Sequence, residues 1–147
     1  MTQLERKCRE VTAHLDPIRR RAQATPAVRR ATRAFRRSLT QKMFDLDPRA
    51  QAWYEGARRL GRELAAAAGE GRSERVVREL TEELAGLREK LAAVEAAARE
   101  DEAVDARRQA LRRRLLAEME RLDGRVPGWI AERREIVDGL RRAGGAS

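Results

Sequence analysis

The sequence has few of the residues that build catalytic and metal sites. It contains one cysteine and one histidine, Cys8 and His14, and only 3% of its 147 residues are aromatic. A single cysteine excludes an internal disulfide, and the two residues do not have the i, i+4 spacing that would let them share a metal on one helix face. Cys8 lies on an apolar stripe with Leu4 and Val11, so we interpret it as a small core residue. We therefore predict no catalytic residues, no metal site and no cofactor, and a protein that is not an enzyme.

Long apolar runs and glycine-rich phosphate loops are also missing. No uncharged apolar stretch approaches 18 residues, so the sequence predicts no transmembrane segment. The polar start lacks the apolar core of a secretory signal, and a cytoplasmic location is the default expectation. The glycines of 69–71 and 144–145 have no strand before them, so we predict turns rather than phosphate sites, and no small-molecule substrate is evident.

Alanine, leucine, arginine and glutamate dominate, and 39% of the residues are charged, a composition typical of long helices and coiled coils. Capping residues and prolines mark the helix starts: Thr2 with Glu5 has capping-box spacing, and Ser73 is a good N-cap. Thr25-Pro26 predicts a helix to about Leu46, and Asp47-Pro48 predicts the next start.

Three further signals concern helix breaks and helix ends. Pro17 either kinks the first helix or starts a new one, and we favour two short helices meeting there. The apolar phase is lost near Asp101, which predicts a break. Gly124 predicts a helix end, followed by a loop over 125–128 and a last helix.

The longest regular pattern lies in the middle of the chain. Its apolar residues alternate in spacing between three and four, which predicts a heptad helix over 74–100. The seam consists of Val77, Leu80, Leu84, Leu87, Leu91 and Val94. This seam either belongs to the core of the chain or pairs with a partner helix, including that of a homodimer.

These signals predict an all-α protein, an antiparallel helical bundle or coiled-coil hairpin preceded by a basic N-terminal helical arm. We predict three regions. They are the arm at 1–25, the bundle at 26–143 and a disordered tail at 144–147.

The formal net charge is +9 and is unevenly distributed along the chain. Residues 1–62 hold 16 Lys and Arg against 6 Asp and Glu, a net +10, whereas residues 63–147 hold 17 against 18, a net −1. Such asymmetry indicates a basic binding surface beside a neutral assembly region.

The basic excess is concentrated in eight arginines within residues 19–37, a stretch that contains no acidic residue. On a helix that starts at Pro26, Arg29, Arg33 and Arg36 would line one side. Guanidinium groups bind phosphates bidentately, so the cluster predicts contacts to the backbone of RNA or DNA. Pairing with an acidic protein is the alternative, and an anionic membrane is a third. The cluster is Arg19, Arg20, Arg21, Arg29, Arg30, Arg33, Arg36 and Arg37.

The order of signals over 28–122 resembles that of the YlbF/YmcA family of small helical bacterial proteins. The resemblance rests on Leu46-Asp47-Pro48 before a new helix, the glycine-bearing turn at 69–71, and the acidic break at 100–102 before a last helix. It implies a non-enzymatic adaptor that acts with partner proteins around RNA processing. The arginine-rich early helices and the N-terminal extension depart from the family pattern, so no functional residue is carried over.

Together, these observations predict an adaptor or assembly protein. Its basic N-terminal half would dock on nucleic acid or a nucleoprotein complex, and its C-terminal half would mediate coiled-coil assembly. The alternative is a protein-binding scaffold, or a small helical subunit of a larger complex, whose arginines meet an acidic partner.

Overall fold

The computed structural model describes residues 1–145, which form six α-helices and no strand. The prediction of an all-α protein is confirmed. The helices are α1 (Gln3–Gln23), α2 (Pro26–Leu46), α3 (Arg49–Gly69), α4 (Glu74–Arg99), α5 (Glu102–Leu122) and α6 (Val126–Gly145).

Local capping explains where most helices begin. At the start of α1 the Thr2 hydroxyl accepts a hydrogen bond from the Glu5 N–H at 3.2 Å, and the Glu5 carboxylate accepts one from the Thr2 N–H at 2.7 Å. The Ser73 hydroxyl likewise accepts from the Val76 N–H at the start of α4. These side chains satisfy backbone donors that the first helical turn leaves unpaired. The predicted starts of α1, α2 and α4 are therefore confirmed.

The prediction of two short helices meeting at Pro17 is wrong, because α1 runs unbroken from Gln3 to Gln23. A proline inside a helix costs about 3 kcal/mol. The apolar residues on both sides of it, Val11, Leu15, Ile18 and Ala22, stay in phase and are all buried. Burying each of the larger ones contributes about 1.5–3 kcal/mol, which offsets the cost of the proline.

The C-terminal helix is longer than predicted at both ends. It begins at Val126, so residues 126–128 are helical rather than a loop. The Asp123 carboxylate stabilises this start by accepting a hydrogen bond from the Arg125 N–H at 2.9 Å. The helix continues to Gly145, where the sequence predicted a tail from 144. Helical glycines cost only about 1 kcal/mol each. Residues 146 and 147 of the predicted tail lie outside the described residues.

The chain divides into two compact units, which differ from the predicted division into arm and bundle. Unit 1 comprises residues 1–33 and 109–147, and unit 2 comprises residues 34–108. Helices α2 and α5 each contribute residues to both units.

In unit 1, α1 packs against α6. Leu4 lies beside Gly139, where an added methyl group would be 3.5 Å from the Leu4 Cδ1 atom. His14 stacks on Trp129 with the ring centroids 4.8 Å apart. The early part of α1 thus meets the late part of α6, and the two helices run antiparallel.

The core of unit 1 shows that α1 is not a separate arm. Four of its seven buried residues come from α1, and the others come from α5 and α6. Those residues are Val11, Leu15, Ile18, Ala22, Met119, Val126 and Ile136. The predicted arm at 1–25 belongs to this core because its stripe matches apolar faces more than 100 positions along the chain.

In unit 2, α3 and α4 pack together as a hairpin. Only residues 70–73 join them, and so short a connection makes the helices antiparallel. Gly71 occupies the left-handed region at φ 67°, which suits glycine at this turn. An added methyl group at Gly56 of α3 would lie 3.2 Å from the Leu87 Cδ1 atom, so the helices approach closely there.

The predicted heptad seam lies along α4, which ends at Arg99. Leu84 is only 4% exposed, and Val77, Leu80, Leu87, Leu91 and Val94 are half-buried. The contact between Gly56 and Leu87 places this seam against α3 of the same chain.

Candidate nucleic-acid interface

All eight arginines of the predicted cluster are exposed. Six belong to unit 1, three of them in the last turn and a half of α1 and three in the first turns of α2. The remaining two, Arg36 and Arg37, belong to unit 2.

A tight connection joins the two basic segments of unit 1. Only residues 24 and 25 separate α1 from α2. The Thr25 hydroxyl donates to the Ala22 carbonyl at 2.7 Å, and the Thr25 carbonyl accepts from the Arg29 N–H at 3.0 Å. Ala22 and Val28 are buried on either side of this turn, at 0% and 1% exposure. The arginines therefore project from an anchored backbone.

The ion pairs of the described residues lie elsewhere. None of the eight cluster arginines forms an ion pair or a side-chain hydrogen bond within residues 1–145, whereas eight other arginines pair with a carboxylate. Those pairs all join residues two to four positions apart in sequence. The six cluster arginines from Arg21 onward have no acidic residue within four positions. Its charge is thus left facing solvent.

One cluster arginine has a longer-range electrostatic effect. The pKa of the Asp123 carboxyl is lowered to about 2, chiefly by hydrogen bonds from the Arg125 side chain and N–H, and to a smaller degree by the charges of Arg125 and Arg21. The Arg125 guanidinium donates to both carboxylate oxygens, at 3.0 and 2.7 Å. Asp47 and Arg49 form the same arrangement before α3. Sequence reasoning missed this Asp-x-Arg repeat, which marks the start of both helices.

The fold redistributes charge in a way that the linear halves do not show. Unit 1 holds 18 Lys and Arg against 9 Asp and Glu, a net +9, and unit 2 holds 15 against 15. The whole excess positive charge therefore resides in unit 1. It comes both from the N-terminal cluster and from arginines of α5 and α6 that sequence reasoning did not single out.

Several of those additional arginines line a groove of about 620 Å³ in unit 1, formed by α1, α5 and α6. The apolar lining comprises Leu15, Leu115, Leu116, Met119, Ile130 and Val137. The arginines are Arg19, Arg112, Arg113, Arg133, Arg134 and Arg141, and Asp138 is the one acidic residue among the lining side chains.

One polar atom beside this groove has no partner. The Nε of Arg133 is buried and makes no hydrogen bond within the described part of the chain. A buried, unpaired donor costs about 1–3 kcal/mol, more when charged. Sequence reasoning missed the groove because it joins residues of α1 to residues of α5 and α6, which lie near the other end of the chain.

Cys8 and His14, the two residues considered as metal ligands or nucleophiles, both pack within unit 1. Cys8 is half-buried and packs against the core of unit 1, and His14 stacks on Trp129. Within residues 1–145, no three His, Cys, Asp or Glu side chains are grouped so as to hold a metal ion.

Comparison with protein-family models, characterised proteins and solved structures finds no match for this chain. The resemblance to the YlbF/YmcA family therefore stays a prediction. Over the described residues, no helix combines the length and apolar character needed to cross a membrane.

Proposed function

We propose that the protein is a non-enzymatic helical adaptor whose unit 1 docks on the sugar-phosphate backbone of nucleic acid. The observation that carries this proposal is the state of the arginine cluster. Its eight members are exposed and form no ion pair within residues 1–145, whereas eight arginines elsewhere each pair with a neighbouring carboxylate. A surface that keeps this much charge unneutralised suits a polyanion, because phosphate binding releases condensed counterions.

The anchored backbone adds to this argument. Arg19, Arg20 and Arg21 end α1, and Arg29, Arg30 and Arg33 follow within the first turns of α2, after a connection of two residues. The helices hold the Cα atoms of these arginines at fixed spacings, so less backbone entropy is lost on binding than with a disordered basic tail. We expect contacts to phosphates rather than to base edges.

The surroundings of the two tryptophans favour binding to the backbone over stacking on bases. The Trp129 ring contacts His14 and the Arg125 guanidinium, which lies 4.8 Å from its centroid. The Trp53 ring contacts the cations of Arg49 and Lys90, at 5.1 and 5.6 Å. Binding of single strands through stacking requires exposed aromatic faces. Recognition should therefore be largely independent of base sequence.

The proposal also assigns a role in assembly to unit 2, which contains the α4 seam. The seam of α4 is half-buried or buried against α3, and unit 2 has no net charge. We propose that unit 2 serves as a neutral scaffold and unit 1 as the basic binding unit, and that the protein acts in the cytoplasm. The alternative is a protein-binding scaffold whose arginines meet an acidic partner. The arginine-lined groove of α1, α5 and α6 supports this alternative.

The experiment is a titration of labelled single- and double-stranded RNA and DNA at several salt concentrations. If the six cluster arginines of unit 1 each contact one phosphate, the slope of log affinity against log salt should be about −5 for duplex DNA and about −4 for single strands. The double variant Arg29→Glu, Arg33→Glu should lower the affinity and reduce the size of the slope by about 2.

The matched control is Arg134→Glu, Arg141→Glu, which makes the same change in net charge at exposed positions outside the cluster. We expect it to affect the slope much less. The proposal is refuted if no ligand binds at low salt, or if the variants at positions 29 and 33 bind as tightly as the unchanged protein.

A further inference from the structure

We propose that the groove of unit 1 between α1, α5 and α6 binds an acidic amphipathic helix of a partner protein. The groove shares Arg19 with the arginine cluster but is not lined by Arg29, Arg30 or Arg33, and the inference does not rest on nucleic-acid binding. It rests on three features of the groove: its charge, its apolar lining and its extent along the helices.

The charge of the groove calls for several anionic groups. Six arginines and a single aspartate line it, so the local excess is +5. The buried Nε of Arg133 has no acceptor within the described residues. A carboxylate entering beside it would satisfy this donor with a charge-assisted hydrogen bond.

The lining of the groove calls for an apolar face on the ligand. Leu15 and Met119, at 2% and 3% exposure, are covered from the core side, but Leu116 is 38% exposed. Leu115, Ile130 and Val137 are half-buried. An exposed apolar strip rimmed by charge is typical of a binding groove. Nucleic acid offers no matching apolar face, and the groove has no aromatic side chain on which a base could stack.

The extent of the groove favours a helix over a single-headed amphiphile. Its residues on α6 run from Ile130 to Arg141, which corresponds to about 16 Å along a helix axis. Arginines occur along this length and on the facing helices, and one carboxylate or phosphate cannot reach all of them. A helix of about three turns can, if leucine-like residues recur at i, i+3, i+4 and i+7 with Asp or Glu on both flanks.

A second copy of this chain does not offer a suitable helix. The most acidic amphipathic segment in the described chain is α4, with Glu79, Glu82 and Glu83 beside its seam. That seam already packs against α3, and its central residue Leu84 is only 4% exposed. The occupant we infer is therefore a helix of a different protein.

The test uses a set of fluorescein-labelled peptides of about 18 residues, long enough for some helix to form alone. Each carries a leucine stripe flanked by glutamates, with the register shifted between members. Three peptides serve as controls, one with the residues scrambled, one with lysine for glutamate and one with serine for leucine. Binding to the full-length protein is followed by fluorescence anisotropy. We expect at least one acidic amphipathic peptide to bind about tenfold or more tightly than every control peptide.

Two variants locate the site. The double variant Arg134→Glu, Arg141→Glu should lower the affinity for the acidic peptide by about tenfold or more, because each lost charge-assisted hydrogen bond accounts for about that factor. Leu116→Asp should also weaken it, because it places a carboxylate on the apolar strip. Arg29→Glu, Arg33→Glu changes the net charge equally and should leave peptide binding within about twofold.

The opposite outcomes are also defined. The inference is overturned if no acidic peptide binds more tightly than the scrambled control. It is also overturned if Arg29→Glu, Arg33→Glu lowers the affinity for the peptide as much as Arg134→Glu, Arg141→Glu does. Self-association that is lost in the Leu116→Asp variant would assign the groove to a second copy instead. If the labelled oligonucleotides no longer bound the Arg134→Glu, Arg141→Glu variant but still bound the Arg29→Glu, Arg33→Glu variant, the groove would be assigned to nucleic acid. Because the two double variants act on different surfaces, failure of this inference and failure of the proposed function give different patterns.

Discussion

Replacing Leu15 with alanine tests whether α1 is an integral part of unit 1. Leu15 is 2% exposed and is one of the largest fully buried side chains in the described chain. It packs in a core that also contains Met119 and Val126, contributed by α5 and by the start of α6. If α1 were a separable arm, truncating this side chain would leave the stability of the remaining helices unchanged.

The expected cost follows from the burial of Leu15. Leucine-to-alanine substitutions in cores destabilise by about 2–5 kcal/mol, and the loss is smaller where the neighbours can relax into the space. Leu15 also lines the groove, so its surroundings are free to adjust on that side. We therefore expect a loss of about 2–3 kcal/mol in the free energy of unfolding.

The two tryptophans provide one fluorescent reporter in each unit. Trp129 lies in unit 1 and Trp53 lies in unit 2, so Trp53→Phe leaves a signal from unit 1 alone. With a urea m value of about 1–3 kcal/mol/M, the Leu15→Ala variant should move the midpoint of the Trp129 transition down by about 0.7–3 M.

Leu46→Ala is the matched control, because it makes the same chemical change at a side chain that is 47% exposed. It should alter the free energy of unfolding by no more than about 0.5 kcal/mol. An unchanged Trp129 midpoint in Leu15→Ala, or equal effects of the two substitutions, would contradict the assignment of α1 to the core.

Two further predictions concern helix packing and pH. Gly61→Ala should stabilise the protein by about 0.5–1 kcal/mol, since alanine favours helix and, beyond the adjacent backbone of its own helix, no atom lies within 4 Å of the added methyl group. Gly56→Ala should gain less or destabilise, because its methyl group would lie 3.2 Å from Leu87, and thermal unfolding of both variants measures the difference. For Asp123, the pKa in the folded state lies below its ordinary value of 3.8, so its contribution to stability is present above about pH 4 and is lost as pH falls toward 2. Asp123→Asn should remove this part of the acid dependence, and a carboxyl titration by NMR that gives an ordinary pKa at Asp123 would rule out the explanation.

Helix positions could be predicted from local sequence because the signals that set them are local. Thr2, Thr25-Pro26 and Ser73 mark helix starts with side chains or prolines that act within one turn. The errors arose where a tertiary contact or an unrecognised cap prevailed. At Pro17, burial of the apolar stripe outweighed a proline in the middle of a helix. At Val126, the Asp123–Arg125 pair began a helix inside a predicted loop.

The candidate site was only partly accessible from the sequence. The arginines of 19–37 are close together along the chain, so their clustering could be seen directly. Arg112, Arg134 and Arg141 could not be assigned to the same unit, because nothing local indicates that α5 and α6 return to α1. Counting charge by linear halves placed the excess at the N terminus, whereas counting by unit places all of it in unit 1.

The sequence by itself determined the helical class, most helix boundaries and the heptad stripe of α4, since capping, proline and side-chain periodicity act over a few residues. Only the tertiary structure decided that α1 pairs with α6 and that their union with α5 forms an arginine-lined groove. The physical reason is that every apolar stripe of this chain is compatible with several others. The choice among them depends on shape and packing between residues that are distant in sequence.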